Sequence, residues 1–247
     1  DGRDLRICGF PPPGSGGVAV GQMLGLMART PAAAWPLQDG RPSAEWLHFF
    51  TEASRLAMAD RAQYLADPDF VPAPAGRWGS LLDADYLDQR ARLIGPQRAP
   101  RVGPGRPGRT TLSWAPMPDQ PEWGTSHLGV VDAQGHVLAM TTTIEAAFGS
   151  RRMVTTQPAR AGGFLLNNEL TDFSFSPRDA QGLPVANRVE PGKRPRSSMA
   201  PTLVFDERSG EPLLTAGSPG GSFIIPYTSK VLHGVLQWGL HPQAAVD

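Results

Sequence analysis

Three short runs hold residues whose types and spacing suit acyl chemistry. The first is Gly124-Thr125-Ser126-His127, where a proline-rich stretch meets a strand-like pattern. A threonine freed at its own amino group carries its own base. The α-amine, with an ordinary pKa of about 7.7–8.0, accepts the hydroxyl proton without help from a histidine. The plain alternative is a threonine that simply opens a strand. The second run, Gly217-Ser218-Pro219-Gly220-Gly221-Ser222, leads into a helical pattern. Glycine amides at such a junction can seat a developing oxyanion, and a tight strand-to-helix turn would use the same residues. In the third, Leu165 to Phe173, Glu169 and Asp172 follow a short apolar strand. Two carboxylates there can hold an ammonium group, or can cap a helix.

Other chemistries find less support. Gly103 to Gly108 spells GxGxxG and Gly14 to Ala19 its GxGxxA variant, but neither lies in a strand–turn–helix unit. No GxSxG elbow is complete. The five histidines (48, 127, 136, 233 and 241) show no metal-ligand spacing, and Cys8 alone builds neither a thiolate site nor an internal disulfide. No metal and no cofactor is therefore expected. Lysine plus arginine and aspartate plus glutamate balance at 23 each, so no global field points to nucleic acid or an acidic membrane. The arginines at 98, 101, 106 and 109 read as a solvated linker. No apolar run of about 18 residues occurs, so no membrane span is expected. DGRDLRICGF lacks the pattern of a signal peptide, and both ends of the chain read as cuts within a domain.

The elements that must position these runs follow from periodicity. Residues 18–30 read as a helix of about three turns. A stronger one spans Ala44 to Leu65, with Ser43 as N-cap. Its apolar residues Trp46, Phe49, Phe50, Ala53, Leu56, Ala57 and Tyr64 recur at three-to-four spacing, while Glu52, Arg55, Asp60 and Arg61 decorate the rest. A third helix is expected around 83–95, and Pro, Gly and Arg across 96–124 suggest an exposed linker. Beyond it the period falls to two: 127–132 and 136–143 form a hairpin, 163–168 a short strand, 175–195 a polar loop, and 201–206 with 212–217 a second hairpin. A helix over 222–240 closes the chain. Helices, linker, strands and helix in that order indicate an α+β class.

Taken in order, PPPGSGG, HFFTEASRLAMADRAQYLADPDFV, TSHLGVVDAQGHVLAMTTTIEAAFGS, GGFLLNNELTDFS, PGKRPRSSMAPTLVF and GSPGGS resemble the γ-glutamyltransferase family of N-terminal-nucleophile hydrolases. The resemblance implies a four-layer αββα sandwich, here an incomplete portion. It implies a precursor that cuts itself between Gly124 and Thr125. Residues 1–124 would then belong to the large-subunit region, and 125–247 to the small subunit.

Residue by residue, Thr125 falls on the nucleophile, Thr143 on the hydroxyl that supports it, and Gly220 and Gly221 on the oxyanion amides. Glu169 and Asp172 fall on the acidic positions for the substrate ammonium, and Ser197 and Ser198 on the serine pair for its carboxylate. The family usually has Asn where this chain has Glu145, which adds a carboxylate to the substrate site; Arg151 or Arg152 is expected to offset it. The family's own arginine for the substrate carboxylate lies in the N-terminal half of its large subunit.

The implied reaction is acyl transfer from a glutathione-like γ-glutamyl amide to water, an amino acid or a peptide, in a protein exported to the periplasm or beyond. A cephalosporin (glutaryl) acylase-like amidase and an uncleaved, non-enzymatic homologue or fragment are the alternatives.

Overall fold

The computed structural model describes residues 4–109, 113–155 and 162–247. Leu5–Cys8 forms a short strand, β1, and Gly16–Met27 the helix α1. Gly16 is required there, because any Cβ would collide with the Met199 carbonyl and with Ala200. The glycines of this GxGxxA run thus serve close packing. The helix stops at Met27, short of the expected Thr30, where the Thr30 amide bonds back to Met27 O at 3.0 Å and Pro31 follows.

Helix α2, Ala44–Tyr64, begins as expected at Ser43, whose Oγ accepts the Trp46 amide at 3.1 Å. Helix α3 is shorter than expected, Ala84–Ala91. The long hairpin forms between β2 (Gly124–Val131) and β3 (Val137–Glu145). Of the expected strand over 163–168 only β5 (Phe164–Leu165) is present, paired with β4 (Met153–Val154). The Asn167 side chain then takes the Glu169 amide and turns the chain. Strands β6 (Thr202–Asp206) and β7 (Pro212–Ala216) make the second hairpin. Helix α4, Ile224–Leu236, ends four residues early because Gly239, at φ +66°, lets Leu240 N bond back to Gly234 O. A short helix, α5 (Pro242–Val246), follows.

Strands β1, β6 and β7 form one antiparallel sheet in that order, with Leu5 opposite Asp206 and Thr202 opposite Ala216. Its core joins Val20 and Met23 of α1, Ala57 of α2, Val204 of β6, Ala216 of β7, and Ile224, Ile225 and Leu232 of α4. Each of the larger side chains contributes about 1.5–3 kcal/mol by leaving water. The residues before and after Gly124 therefore share a sheet and a core. The combination of helices and antiparallel strands agrees with the α+β class.

Two expectations fail together. Glu52, Asp60 and Arg61 do not decorate a solvent face of α2; they are buried at 2%, 0% and 4% exposure. Nor is 96–124 a free linker, because it covers that face. Gly105 N donates to Asp60 at 2.8 Å, Tyr64 donates to Gly105 O at 2.5 Å, and Met117 N to Ala62 O at 2.9 Å. Residues 110–112 of this stretch lie outside the described residues.

Candidate active site

Thr125 lies half-buried on β2 at a break in register. Gly124 pairs with Glu145 and Ser126 with Thr142, so Thr125 alone faces two residues of β3, Thr143 and Ile144. The extra residue on β3 turns Thr143 toward the peptide before Thr125. Its hydroxyl donates to Gly124 O at 2.6 Å and accepts the Glu145 amide at 2.8 Å. A hydroxyl on that carbonyl stabilises negative charge developing there.

Glu145 continues the strand at φ +70°, a conformation costly for a non-glycine residue, and the residue is 5% exposed. It accepts the Trp123 amide at 3.2 Å and a short hydrogen bond from Asn168 Nδ2. The expected offset by Arg151 or Arg152 is not what the structure shows. Among the described residues neither arginine pairs with Glu145, because Asn168 and the Trp123 amide occupy its carboxylate.

One small cavity, with about 20 Å³ of free space, is walled by Thr125, Thr143, Glu145, Glu169, Asp172, Ser197, Ser198 and Gly221. Eight expected positions, spread over a hundred residues of chain, thus meet at one point, with Gly124 beside them. Gly220 is the exception: it is not in the wall of this cavity, and a Cβ added there would meet Tyr227 and Phe223. Gly221, at φ +57°, admits no side chain because a Cβ would collide with the backbone of Glu122.

The cavity has two electrostatic halves. On one side Arg61 donates to Ser198 Oγ and, at 2.8 Å, to Ser15 Oγ. Ser15 Oγ in turn donates to Ser197 O at 2.6 Å. Burial pushes the guanidinium of Arg196 down to about 9, and Arg61 pushes the same way, while Glu122 and Asp172 oppose them. Arg61 and Glu122 are the residues that periodicity and motif spacing passed over. Glu122 forms an ion pair with Arg61 at 3.1 Å and accepts the Ser198 hydroxyl. Burial raises its carboxyl, but Arg61, Ser198 and Arg196 together hold it below the ordinary range.

On the other side Glu169 and Asp172 sit on a single helical turn, and among the described residues neither forms a salt bridge, although Arg61 lies near enough to oppose the rise at Asp172. Burial and Glu145 push Glu169 up against an opposing hydrogen bond from Asp172, and Glu169 Oε1 is buried with no partner among the described residues. Burial first, then Glu169, Glu122 and Glu145, push Asp172 up to about 8. A carboxylate corner that must keep protons to stay neutral is suited to receive an ammonium.

Folding leaves Asp172 protonated well above its ordinary 3.8, so its contribution to stability is fully present below about 4 and is lost as pH rises to about 8. At about 1.4 kcal/mol per pH unit, the partial exposure of Asp172 and its sharing of charge with Glu169 reduce this to ~2–3 kcal/mol. Asp172→Asn in the uncleaved chain should flatten urea unfolding stability between pH 4 and 8 by that amount. An unchanged slope would contradict the assignment.

The γ-glutamyltranspeptidase family model matches residues 1–247. The chain belongs to this family. The glutathione hydrolase proenzyme of Pseudomonas aeruginosa is 37% identical over 96% of this chain and 39% of its own length. The acylase ACY 1 proenzyme of Pseudomonas sp. (strain V22) is 32% identical over 99% of this chain and 38% of its own length. A solved cephalosporin acylase from Bacillus halodurans shares the fold, with a TM-score of 0.75 over 99% of this chain and 38% of that one at 23% identity. The chain thus spans about 40% of the length of the curated relatives it matches. Six ordered sequence blocks that resembled γ-glutamyltransferases were therefore a sound guide to the family.

Proposed function

We propose that the full-length protein is a γ-glutamyl hydrolase/transpeptidase that matures by cutting itself between Gly124 and Thr125. In maturation Thr125 Oγ attacks the Gly124 carbonyl carbon, with the Thr143 hydroxyl on the carbonyl oxygen as its charge grows. The C–N bond breaks, the nitrogen takes a proton, and the Gly124 acyl group rests on Oγ as an ester. Water then hydrolyses that ester, leaving a carboxylate on Gly124 and a free amine on Thr125. That amine becomes the base for the second reaction, in which Oγ attacks a γ-glutamyl amide, the amine product leaves, and water or an amino acid or peptide resolves the acyl-enzyme. Gly220 and Gly221 are the expected oxyanion amides. The mature protein would comprise a large and a small subunit in the four-layer αββα arrangement, exported to the periplasm or beyond. The shared sheet and core would keep the two products of cleavage together.

The observation that carries this reading is the cavity's division into halves beside Thr125. Arg61 and Ser198 suit a carboxylate, and Glu169 and Asp172 suit an ammonium. A γ-glutamyl group ends in both. Relatedness to an acylase proenzyme favours a second reading, a glutaryl amidase, since glutaryl has the carboxylate alone. That group would leave the carboxylate corner unpartnered, which disfavours it. Release from a γ-glutamyl anilide and from a glutaryl anilide by the full-length protein separates the two. A preference for γ-glutamyl of at least about a hundredfold is expected, since buried polar groups discriminate strongly against an analogue that leaves them unpaired. Equal or better use of the glutaryl compound would overturn it.

A further inference from the structure

Ser15 stands at the N-cap of α1, where a serine hydroxyl ordinarily accepts an amide of the first helical turn. It caps nothing here. The residue is fully buried, and its Oγ instead accepts Arg61 Nε at 2.8 Å and donates to Ser197 O at 2.6 Å. A hydroxyl has a single proton, so these two bonds fix its direction. It receives the guanidinium on one side and grips the serine loop on the other. The α1 cap is given up for a link between two parts of the cavity's carboxylate half.

We infer that Ser15 is a positioning residue for the substrate carboxylate. It is not in the wall of the cavity and acts through groups that are or that reach it. By accepting Nε it sets the plane of the Arg61 guanidinium, whose Nη2 then donates to Ser198 Oγ. The other side-chain partner of Arg61, Glu122, also lies on Nη2, so among the described residues Ser15 alone holds the Nε edge. By bonding Ser197 O it steadies the backbone that carries both serines. Two backbone bonds tie the same stretches together: Ser15 N donates to Ser197 O at 2.8 Å, and Ser197 N to Pro13 O at 3.2 Å. Ser15 and Arg61 precede the proposed cut, and the serine pair follows it. Orientation thus comes from one side of the cut and the hydroxyls from the other. This inference deepens the proposed function, resting on its reading of Arg61 and Ser198 as ligands for a carboxylate.

The test compares mature full-length wild type with Ser15→Ala. That variant keeps the backbone bonds to the serine loop and has no helix cap to lose, so it should fold. The α-carboxylate of a γ-glutamyl group is remote from the reacting carbonyl, so loosened ligands weaken substrate and transition state alike. KM for the γ-glutamyl anilide should rise about tenfold, the order of one hydrogen bond to a charged group, with kcat within about threefold. The 4-aminobutyryl anilide has the ammonium and the reacting carbonyl but no carboxylate. Its kcat/KM should stay within about twofold, whereas general damage to the site would lower both. Ser15→Cys keeps the shape with a weaker donor and acceptor and should give a smaller rise in KM, which serves if the alanine variant fails to fold. Glutarate titrated by calorimetry reads the carboxylate site without turnover and should bind about tenfold more weakly to Ser15→Ala. Unchanged KM and glutarate affinity in the folded variants, or equal losses on the two anilides, would overturn the role of Ser15. Wild type that binds glutarate without releasing the γ-glutamyl anilide sinks the γ-glutamyl reading, and the glutarate comparison alone then decides the role of Ser15. Wild type that does neither has no carboxylate site, and both proposals fall.

Discussion

Thr125→Ala in the full-length protein should leave one uncut polypeptide after prolonged incubation and lower γ-glutamyl anilide turnover by at least about 10⁴-fold. The reason is chemical. The same Oγ is asked to attack the Gly124 carbonyl once and the substrate carbonyl in every turnover, and a methyl group can do neither. Thr143 cannot stand in, because its hydroxyl is already committed to Gly124 O and to the Glu145 amide. Ser126 is one residue along the strand, so its side chain points to the opposite face of the hairpin. Thr125→Ser should keep both reactions at reduced rate, which separates loss of the nucleophile from disturbance of the strand. Intact mass and N-terminal sequencing report the cut, and release of the anilide reports turnover. A new terminus at residue 125 in the alanine variant, or turnover within tenfold of wild type, would place the nucleophile elsewhere.

The largest loss of stability is expected at Asp60, far from the scissile bond. Its fully buried carboxylate accepts Gln22 at 2.8 Å, Tyr86 at 2.6 Å, Arg90 at 3.1 Å and the Gly105 amide at 2.8 Å. It joins three helices to the stretch after α3. Asp60→Ala strands the Arg90 guanidinium, itself buried, without its counter-charge, and should cost about 3–5 kcal/mol in urea unfolding. The exposed pair Arg77–Asp83 is shorter, at 2.5 Å, yet Arg77→Ala should cost less than about 1 kcal/mol. Solvent screens that pair and re-solvates either partner when the other is removed. Equal losses at the two sites would show that burial does not set the value of the Asp60 network. The loss at Asp60 should also release Gly105 and its neighbours from α2, measured as faster amide exchange between 103 and 109.

Much of the fold was visible in local pattern. Ser43 followed by apolar residues at helical spacing marked α2 to within one residue, because capping and amphipathicity are both local. The alternation on either side of Asp132 to Gly135 marked the β2–β3 hairpin for the same reason. β1 was missed, since four residues that gain their partner only at 203–206 carry too little pattern to be distinguished from coil. The stretch 96–124 was misread because its composition is that of a linker. Its described parts instead run closely over α2, where the Ala99 and Gly105 amides satisfy the buried carboxylates of Glu52 and Asp60.

The candidate site divides along the same line. The resemblance of six ordered blocks to γ-glutamyltransferases was enough to name Thr125, Thr143, Glu145, Glu169, Asp172, Ser197, Ser198 and Gly221, all of which wall one cavity. Those blocks were legible because a family resemblance is carried by local order along the chain, whatever the distance between them in the fold. Glu122 lies in no such run, and Arg61, although inside the second block, carries no site role there. An acid in a proline-rich stretch and an arginine on a helix have meaning only once folding brings them within 3.1 Å, from positions 61 residues apart, and removes the water between them. Burial turns that pair from two solvated charges into a desolvated ion pair beside the cavity, and burial is a property of the packed chain rather than of any segment within it.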